Sequence, residues 1–305
     1  MLTFAVLFTG SAGAQADLVE RFRSIDRGSS WQLVSAEIVN FQTFHTQGMT
    51  RVGDAFFMSS VEIVVRTERY PELRDGLDRT AGEGMGHLFK FDLDGNLLAS
   101  ITLAEGDMYH PGGIDYDDRY IWVPVAEYRP NSASVIYRVD PDTMEATAVF
   151  RFPDHIGGIV HNPDDGTLHG VSWGSRRLYT WDLDGDIVVN ADADPESLRT
   201  LNTQHYIDYQ DCQYVGDARM LCSGLTNYRM DAESPVFPLG GLELVDLRSG
   251  LPIHQVPVRL YTQGENRRVL TQNPFFVETS DAGLRVYFVP EDDTSHLFVY
   301  DVEVR

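Results

Sequence analysis

The stretch Met108-Tyr-His-Pro-Gly-Gly-Ile-Asp-Tyr116 is the clearest copy of a unit that recurs along the whole chain. Related openings stand at Phe44-His-Thr-Gln-Gly-Met49, Asp154-His-Ile-Gly-Gly-Ile159, Tyr209-Gln-Asp-Cys-Gln-Tyr214 and Thr271-Gln-Asn-Pro-Phe-Phe276. Each is followed by a turn and a run rich in β-branched and aromatic residues: Ala55 to Val61, Tyr120 to Val125, Thr167 to Trp173, Arg219 to Leu225 and Leu284 to Pro290. Such runs read as strands. Recurrence at intervals of about 45 to 65 residues means a repeat architecture and constrains everything else in the chain.

Each unit carries a third strand ending in Asp: Leu88 to Asp92, Val135 to Asp140, Leu178 to Asp182, Leu242 to Asp246 and Leu297 to Asp301. Turn pairs follow at Asp94-Gly95, Asp140-Pro141, Asp184-Gly185 and Ser249-Gly250, leading into a fourth strand. Four-stranded antiparallel units in series are the blades of an all-β propeller. The fifth unit reaches Arg305 with three strands, whereas Trp31 to Val39 reads as a strand that belongs to no unit. The expectation is therefore five blades, the last closed by that N-terminal strand; six blades follow instead if a divergent unit lies within Asp186 to Gln204 or Pro235 to Gln255.

Residues 1–16 are apolar and close on Ala14-Gln-Ala16. They read as the apolar region and cleavage site of a signal peptide without its basic start, or else as a short buried helix. The mature protein is then one exported propeller domain, residues 17–305, periplasmic or extracellular and monomeric. Asp17 to Ser30 places Leu18, Phe22 and Ile25 on one side of a helix that covers an end of the domain. Export permits a disulfide, and Cys212 and Cys222 flank the turn at Val215-Gly-Asp-Ala218, so they are either cross-strand partners or two buried thiols. A net charge of −22 excludes the basic footprint that nucleic acid and anionic membranes require.

Innermost strands converge on the axis, bringing His45, Gln47, His110, His155, Gln210 and Gln272 together, with Asp154, Asp211 and Asn273 beside them. His45, His110, His155, Gln210 and Gln272 form a candidate ligand set for a divalent ion such as Mn, Zn, Fe or Ca, with Asp154 orienting a ring. A metal-free polar site and water-bridged packing account for the same residues. Two inserts, Arg66 to Gly86 and Thr226 to Gly240, fall between second and third strands and should rim the same mouth. Tyr109, Tyr128, Trp173 and Arg176 are candidates to hold substrate there, Trp173 as a stacking plate and Arg176 as a carboxylate clamp. Arg129 and Arg177 read as solvated. His155, His205, Tyr209 and Glu127 are candidate proton-transfer groups. Glu127 with Asp154 or Asp211 would make a carboxylate pair suited to glycoside hydrolysis.

The motifs Tyr109 to Tyr116, Ile121 to Arg129, Asp154 to Ile159 and Gly170 to Arg176 resemble those of an uncharacterised family of exported propeller proteins from bacteria and fungi. That resemblance covers essentially the mature chain and implies fold and export but no activity. The His/Gln-lined axis is more distantly similar to metal-dependent propeller lyases that act on uronic-acid sugars; this similarity transfers no residue role. The leading expectation is a metal-dependent lyase or hydrolase acting on a carbohydrate or other small carboxylated compound. The alternatives are a non-catalytic binding propeller and a metal-free hydrolase.

Overall fold

The computed structural model describes residues 11–175, 177–189, 205–263 and 267–304. The expected strands form, and they pair into five radial antiparallel sheets. Blade one runs His45–Val52, Ala55–Val65, Glu83–Asp92, Leu97–Leu103 from axis to rim. Blade two has its inner strand in two pieces, Met108–Pro111 and Asp115–Tyr116, followed by Ile121–Glu127, Ser134–Val139 and Ala146–Phe152. Blade three is Ile156–Asn162, Thr167–Ser172, Leu178–Asp182, Ile187–Val189; blade four is Asp208–Tyr214, Arg219–Tyr228, Phe237–Asp246, Leu251–Val258. Blade five takes Phe275–Ser280, Gly283–Phe288 and His296–Glu303 from the C-terminal part, and its rim strand is Trp31–Ile38.

That rim strand pairs antiparallel with His296–Glu303, from Trp31 opposite Val302 to Ile38 opposite His296. Two ends of the chain thus share one sheet and close the ring, and no blade is left with an unmatched set of strands. Where they are described, the segments that could have hidden a sixth unit supply the rim strand of blade three and the third and rim strands of blade four; 190–204 lies outside the described residues.

In blades one to four the Asp ending the third strand has a mechanical job, whereas Asp301 of blade five pairs with Arg285. Asp92 Oδ1 accepts the amides of Asp94 at 3.0 Å and Asn96 at 2.8 Å. Asp182 does the same for Asp184 and Asp186, and Asp140 for Asp142 and Thr143. The carboxylate satisfies turn amides that the ladder leaves unpaired, while Gly95 and Gly185 adopt φ of 81° and 95°, which favours glycine. Between blades, aromatic and aliphatic side chains fill the wedge: Phe56, Phe91 and Tyr287 join blades one and five, and Trp181 packs against Phe150 and Phe152 from the rim strand of blade two.

The helix spans Ser11–Ser24, beginning earlier than expected; Ala12, Ala14 and Ala16 favour helix, and its first turns include the last residues of the segment read as a signal. Leu18, Val19 and Phe22 are buried against blades four and five, and Arg21 Nη1 donates to the carbonyls of Ser280 and Gly283 at 2.7 and 3.0 Å. Among the described residues no helix is long and apolar enough to cross a membrane. Cys212 and Cys222 stand directly opposite on the first two strands of blade four and are bonded.

The axis itself is closed. A Cβ on Gly48 would lie 2.6 Å from the Gly113 Cα, and one on Gly113 would lie 2.8 Å from Asp211 Oδ1. Glycine is required where inner strands approach this closely. Asp211 occupies the corresponding position of blade four, and its carboxylate fills the space. It accepts the amides of Met49 at 2.8 Å, Ile114 at 3.1 Å, Phe275 at 3.2 Å and its neighbour Cys212 at 3.1 Å. One side chain thereby ties four blades. Burial pushes its carboxyl well above the usual range, and the backbone donors oppose that push. This places Asp211 in the plug, not in an acid pair facing solvent.

Candidate functional site

Three residues upstream of that plug, in each of the first four blades, the inner strand reaches the mouth. Counting back from Gly48, Gly113, Gly158 and Asp211 gives His45, His110, His155 and Asp208. Irregular pairing at Thr46/Gly48, Ile156/Gly158 and Tyr209/Asp211 inserts one extra residue between the two levels, so both levels can face the axis. These four side chains help line a cavity of about 210 Å³, with Gln47 and Gln210 from the extra positions and Tyr128, Trp173 and Tyr209 forming aromatic walls.

Each histidine is held differently. His155 Nδ1 lies 2.7 Å from the Glu127 carbonyl oxygen. A carbonyl only accepts, so Nδ1 carries the proton and Nε2 presents a lone pair. His45 Nδ1 lies 2.8 Å from Asp292 Oδ1, and Asp292 is held in turn by Arg268 Nη2 at 2.8 Å. His110 has neither ring nitrogen bonded although both are buried; its ring stacks on Tyr128 with centroids 4.2 Å apart. Burial drives the His110 imidazole well below its ordinary range, with the neighbouring His155 and His45 adding to the effect. Burial likewise lowers His155 to about 4, against the opposing pull of the Glu127 carbonyl. Both rings are neutral near pH 7.

Trp173 packs edge-on to His155 with centroids 4.7 Å apart, and the Arg79 guanidinium lies 5.0 Å over the Trp173 ring. Arg79 comes from the first insert, which folds as a hairpin of Arg69–Arg74 and Leu77–Arg79. The second insert prolongs the middle strands of blade four, and none of its residues lines the central cavity.

Other expected site residues are placed elsewhere. The Glu127 carboxylate is bound by Arg129, so its backbone carbonyl, rather than its acid, serves the site. Arg129 and Arg177 are not solvated: Arg177 Nη1 meets buried Asp154 Oδ2 at 2.7 Å. Asp154 touches no histidine ring; it accepts from the His155 amide at 2.8 Å and the Tyr179 hydroxyl at 2.9 Å. Glu127, Asp154 and Asp211 therefore do not form a hydrolytic carboxylate pair. Tyr109 is a buried post whose hydroxyl donates to the Ala81 carbonyl at 2.6 Å and anchors the first insert. His205 does not line the cavity; it and Tyr209 bond to each other and to the fully buried Glu243, with Tyr209 Oη 2.5 Å from Glu243 Oε2. Gln210 lines the cavity, while Gln272 ends a short turn and does not. Arg176 lies outside the described residues.

Among the described residues no group of three His, Cys, Asp or Glu is arranged to hold a metal ion. Ring centroids of His45 and His110 are 6.2 Å apart, and those of His110 and His155 5.9 Å. The donor chemistry is that of a metal site.

Asp208, Asp292 and Glu243 carry the geometry without having been singled out in the sequence. Asp208 was detectable by counting from the glycines of the repeat, and Glu243 as an acid among the apolar residues of a middle strand. Asp292 lies in an acidic turn 247 residues from its histidine, with no local signal.

The chain belongs to the family of unknown function DUF6454, whose sequence profile matches residues 3–305. No curated protein matches it. Among solved structures it is similar to MPT-4, a mannose phosphorylase from Leishmania mexicana in complex with phosphate, with a TM-score of 0.51 at 10% identity over 93% of this chain and 92% of that one. It also resembles, with a TM-score of 0.39 and 9% identity over 92% of this chain and 98% of the other, a DUF4221 family member from Bacteroides vulgatus. The first of these likenesses reflects a shared fold alone.

Proposed function

We propose that this member of the family is an enzyme whose working site is the mouth cavity, acting on a carbohydrate or other small carboxylated compound with His155 as proton acceptor. The observation that carries the reading is the bond from His155 Nδ1 to the Glu127 carbonyl. It fixes the tautomer, leaves the Nε2 lone pair for substrate, and operates on a ring that burial keeps neutral. Taken beside a carboxylate, the proton is that of a lyase substrate; taken from water, it is that of a hydrolase. Trp173 and Tyr128 offer flat apolar faces to a sugar ring, and Gln47 and Gln210 offer amides to its hydroxyls. The Cys212–Cys222 bond supports an oxidising, exported setting.

Turnover of a panel of uronic acids and their oligomers by the parent, with a loss of about 10²- to 10⁴-fold in kcat for His155→Gln, would support the assignment. Full activity in His155→Gln would sink it. Binding without turnover in the parent would favour a non-catalytic propeller. A divalent ion is a second reading, favoured by the equal register of His45, His110 and His155; about one ion per chain by elemental analysis, lost in a His110→Ala/His155→Ala variant, would establish it.

A further inference from the structure

The mouth cavity does not stand alone. Through Trp173 and Ser172 it shares walls with a cavity of about 350 Å³ under the first insert. Through His45 and Tyr128 it shares walls with another of about 360 Å³ toward blade five. Sites that enclose a small organic ligand occupy about 300–1,000 Å³. The central cavity of about 210 Å³ is below that range, so a ligand larger than a single ring held there extends into a neighbour.

The two neighbours differ in charge. Arg69, Arg79 and Arg177 face Asp78 and Asp154 in the first, leaving an excess of one positive charge; Arg66 faces Glu62, Asp292 and Asp293 in the second, leaving an excess of two negative charges among its carboxylates and guanidinium. The positive excess is localised. Arg177 and Asp154 neutralise each other at 2.7 Å. Asp78 is claimed by two guanidinia, Arg79 Nε at 2.8 Å and Arg69 Nη1 at 3.2 Å. Two cations on one carboxylate leave one positive charge open, on a chain whose net charge is −22. Arg69 is 75% exposed, so its charge is accessible to a ligand, and Arg79 lies over Trp173, the wall shared with the central cavity.

We infer, building on the enzymatic reading of the mouth, that the ligand is an extended chain of sugar-like units rather than a single ring. Its anionic unit lies against Arg69 and Arg79, and its hydroxylated body crosses Trp173 into the histidine-lined cavity. A guanidinium already paired with one carboxylate still has donors for a second, and the stacked Arg79 and Trp173 guide the chain from the charged subsite to the neutral one. The hairpin of the first insert thus supplies the specificity for charge.

The test is calorimetric titration at low salt with trigalacturonate, galacturonate and mannotriose, using the parent, Arg69→Gln and Trp173→Ala. Trigalacturonate should bind at least tenfold more tightly than either other probe. Arg69→Gln should weaken it several-fold with unchanged thermal stability, and Trp173→Ala should weaken both trimers. Equal affinity for galacturonate, equal affinity for mannotriose, indifference to Arg69→Gln, or no binding of trigalacturonate overturns the inference. The base assignment fails separately: trimer binding of the expected pattern with turnover that survives His155→Gln would remove the base and leave the groove. Turnover of a neutral monosaccharide that depends on His155 and ignores Arg69 would do the reverse.

Discussion

The plug of the axis and the mouth above it are built from the same inner strands, three residues apart, yet they treat polar groups in opposite ways. In the plug, a buried carboxylate has every oxygen engaged by amides from four blades. At the mouth, His110 is as deeply buried and has both nitrogens unbonded, and His155 has one nitrogen bonded and one presented. Buried polar groups are normally satisfied, because an unmade bond costs about 1–3 kcal/mol. A satisfied level is therefore the part that holds the ring together, and an unsatisfied level is where an incoming ligand gains most. On the proposed reading, the difference puts the working site above the plug on grounds independent of any family resemblance.

The largest effect should come from the satisfied level. Asp211→Ala leaves four buried amides without an acceptor and opens a void where the inner strands meet, so it should cost at least about 4 kcal/mol. Denaturant midpoints of the parent and variant measure it. A loss below about 1 kcal/mol would mean that the ring is held by blade-to-blade packing alone, and the comparison between the two levels would lose its basis.

A smaller, pH-dependent effect belongs to His155. Its ordinary value of 6.5 falls to about 4 in the fold. The unfolded chain therefore binds a proton that the folded chain refuses in that interval, and stability rises with pH there. The contribution is fully present above pH 6.5 and is lost as pH falls toward 4, with a slope of up to about 1.4 kcal/mol per pH unit. His110 and His169 shift in the same direction, so the informative quantity is the difference between the parent and His155→Gln across pH 4 to 7. The variant should have the shallower slope; identical slopes would mean that His155 titrates normally in the fold.

How much of this was readable in the sequence follows from which interactions are local. The repeat, the turn-clamping Asp at the end of the third strand in blades one to four and the orphan strand at Trp31 are features of short segments, and they suffice for a ring of five blades. The mouth histidines were readable too, because each sits beside the glycines of its own motif. Their partners were not. His155 is pinned by a backbone carbonyl, which no residue type betrays, and His45 by Asp292 from the far side of the ring closure. The irregular pairing in the inner strands also displaced the ring's fourth member. Counting motif by motif suggests Gln210, whereas the extra residue puts Asp208 level with the histidines. Glu127 and Asp154 misled for the opposite reason: both lie near the site in sequence and space, but Arg129 and Arg177 occupy their carboxylates.

The smallest change in stability should accompany one of the largest changes in binding, at His110. Its ring is buried, neutral and stacked on Tyr128, and neither nitrogen bonds another residue. His110→Phe keeps an aromatic face against Tyr128 and removes two unsatisfied polar atoms. Replacing such a group with an apolar one of similar shape is nearly neutral or stabilising. Folded stability should therefore stay within about 1 kcal/mol of the parent or rise above it, while affinity for trigalacturonate falls at least tenfold. That pattern is the trade expected where a site keeps poor internal bonding for the sake of its ligand. If His110→Phe instead destabilises as Asp211→Ala does, the ring's nitrogens are serving the fold through ordered water, and the mouth is a second structural layer of the axis. If stability and affinity are both unchanged, the ligand is held by the flanking groove and His155 without touching the second blade, and the chemistry moves toward blade three.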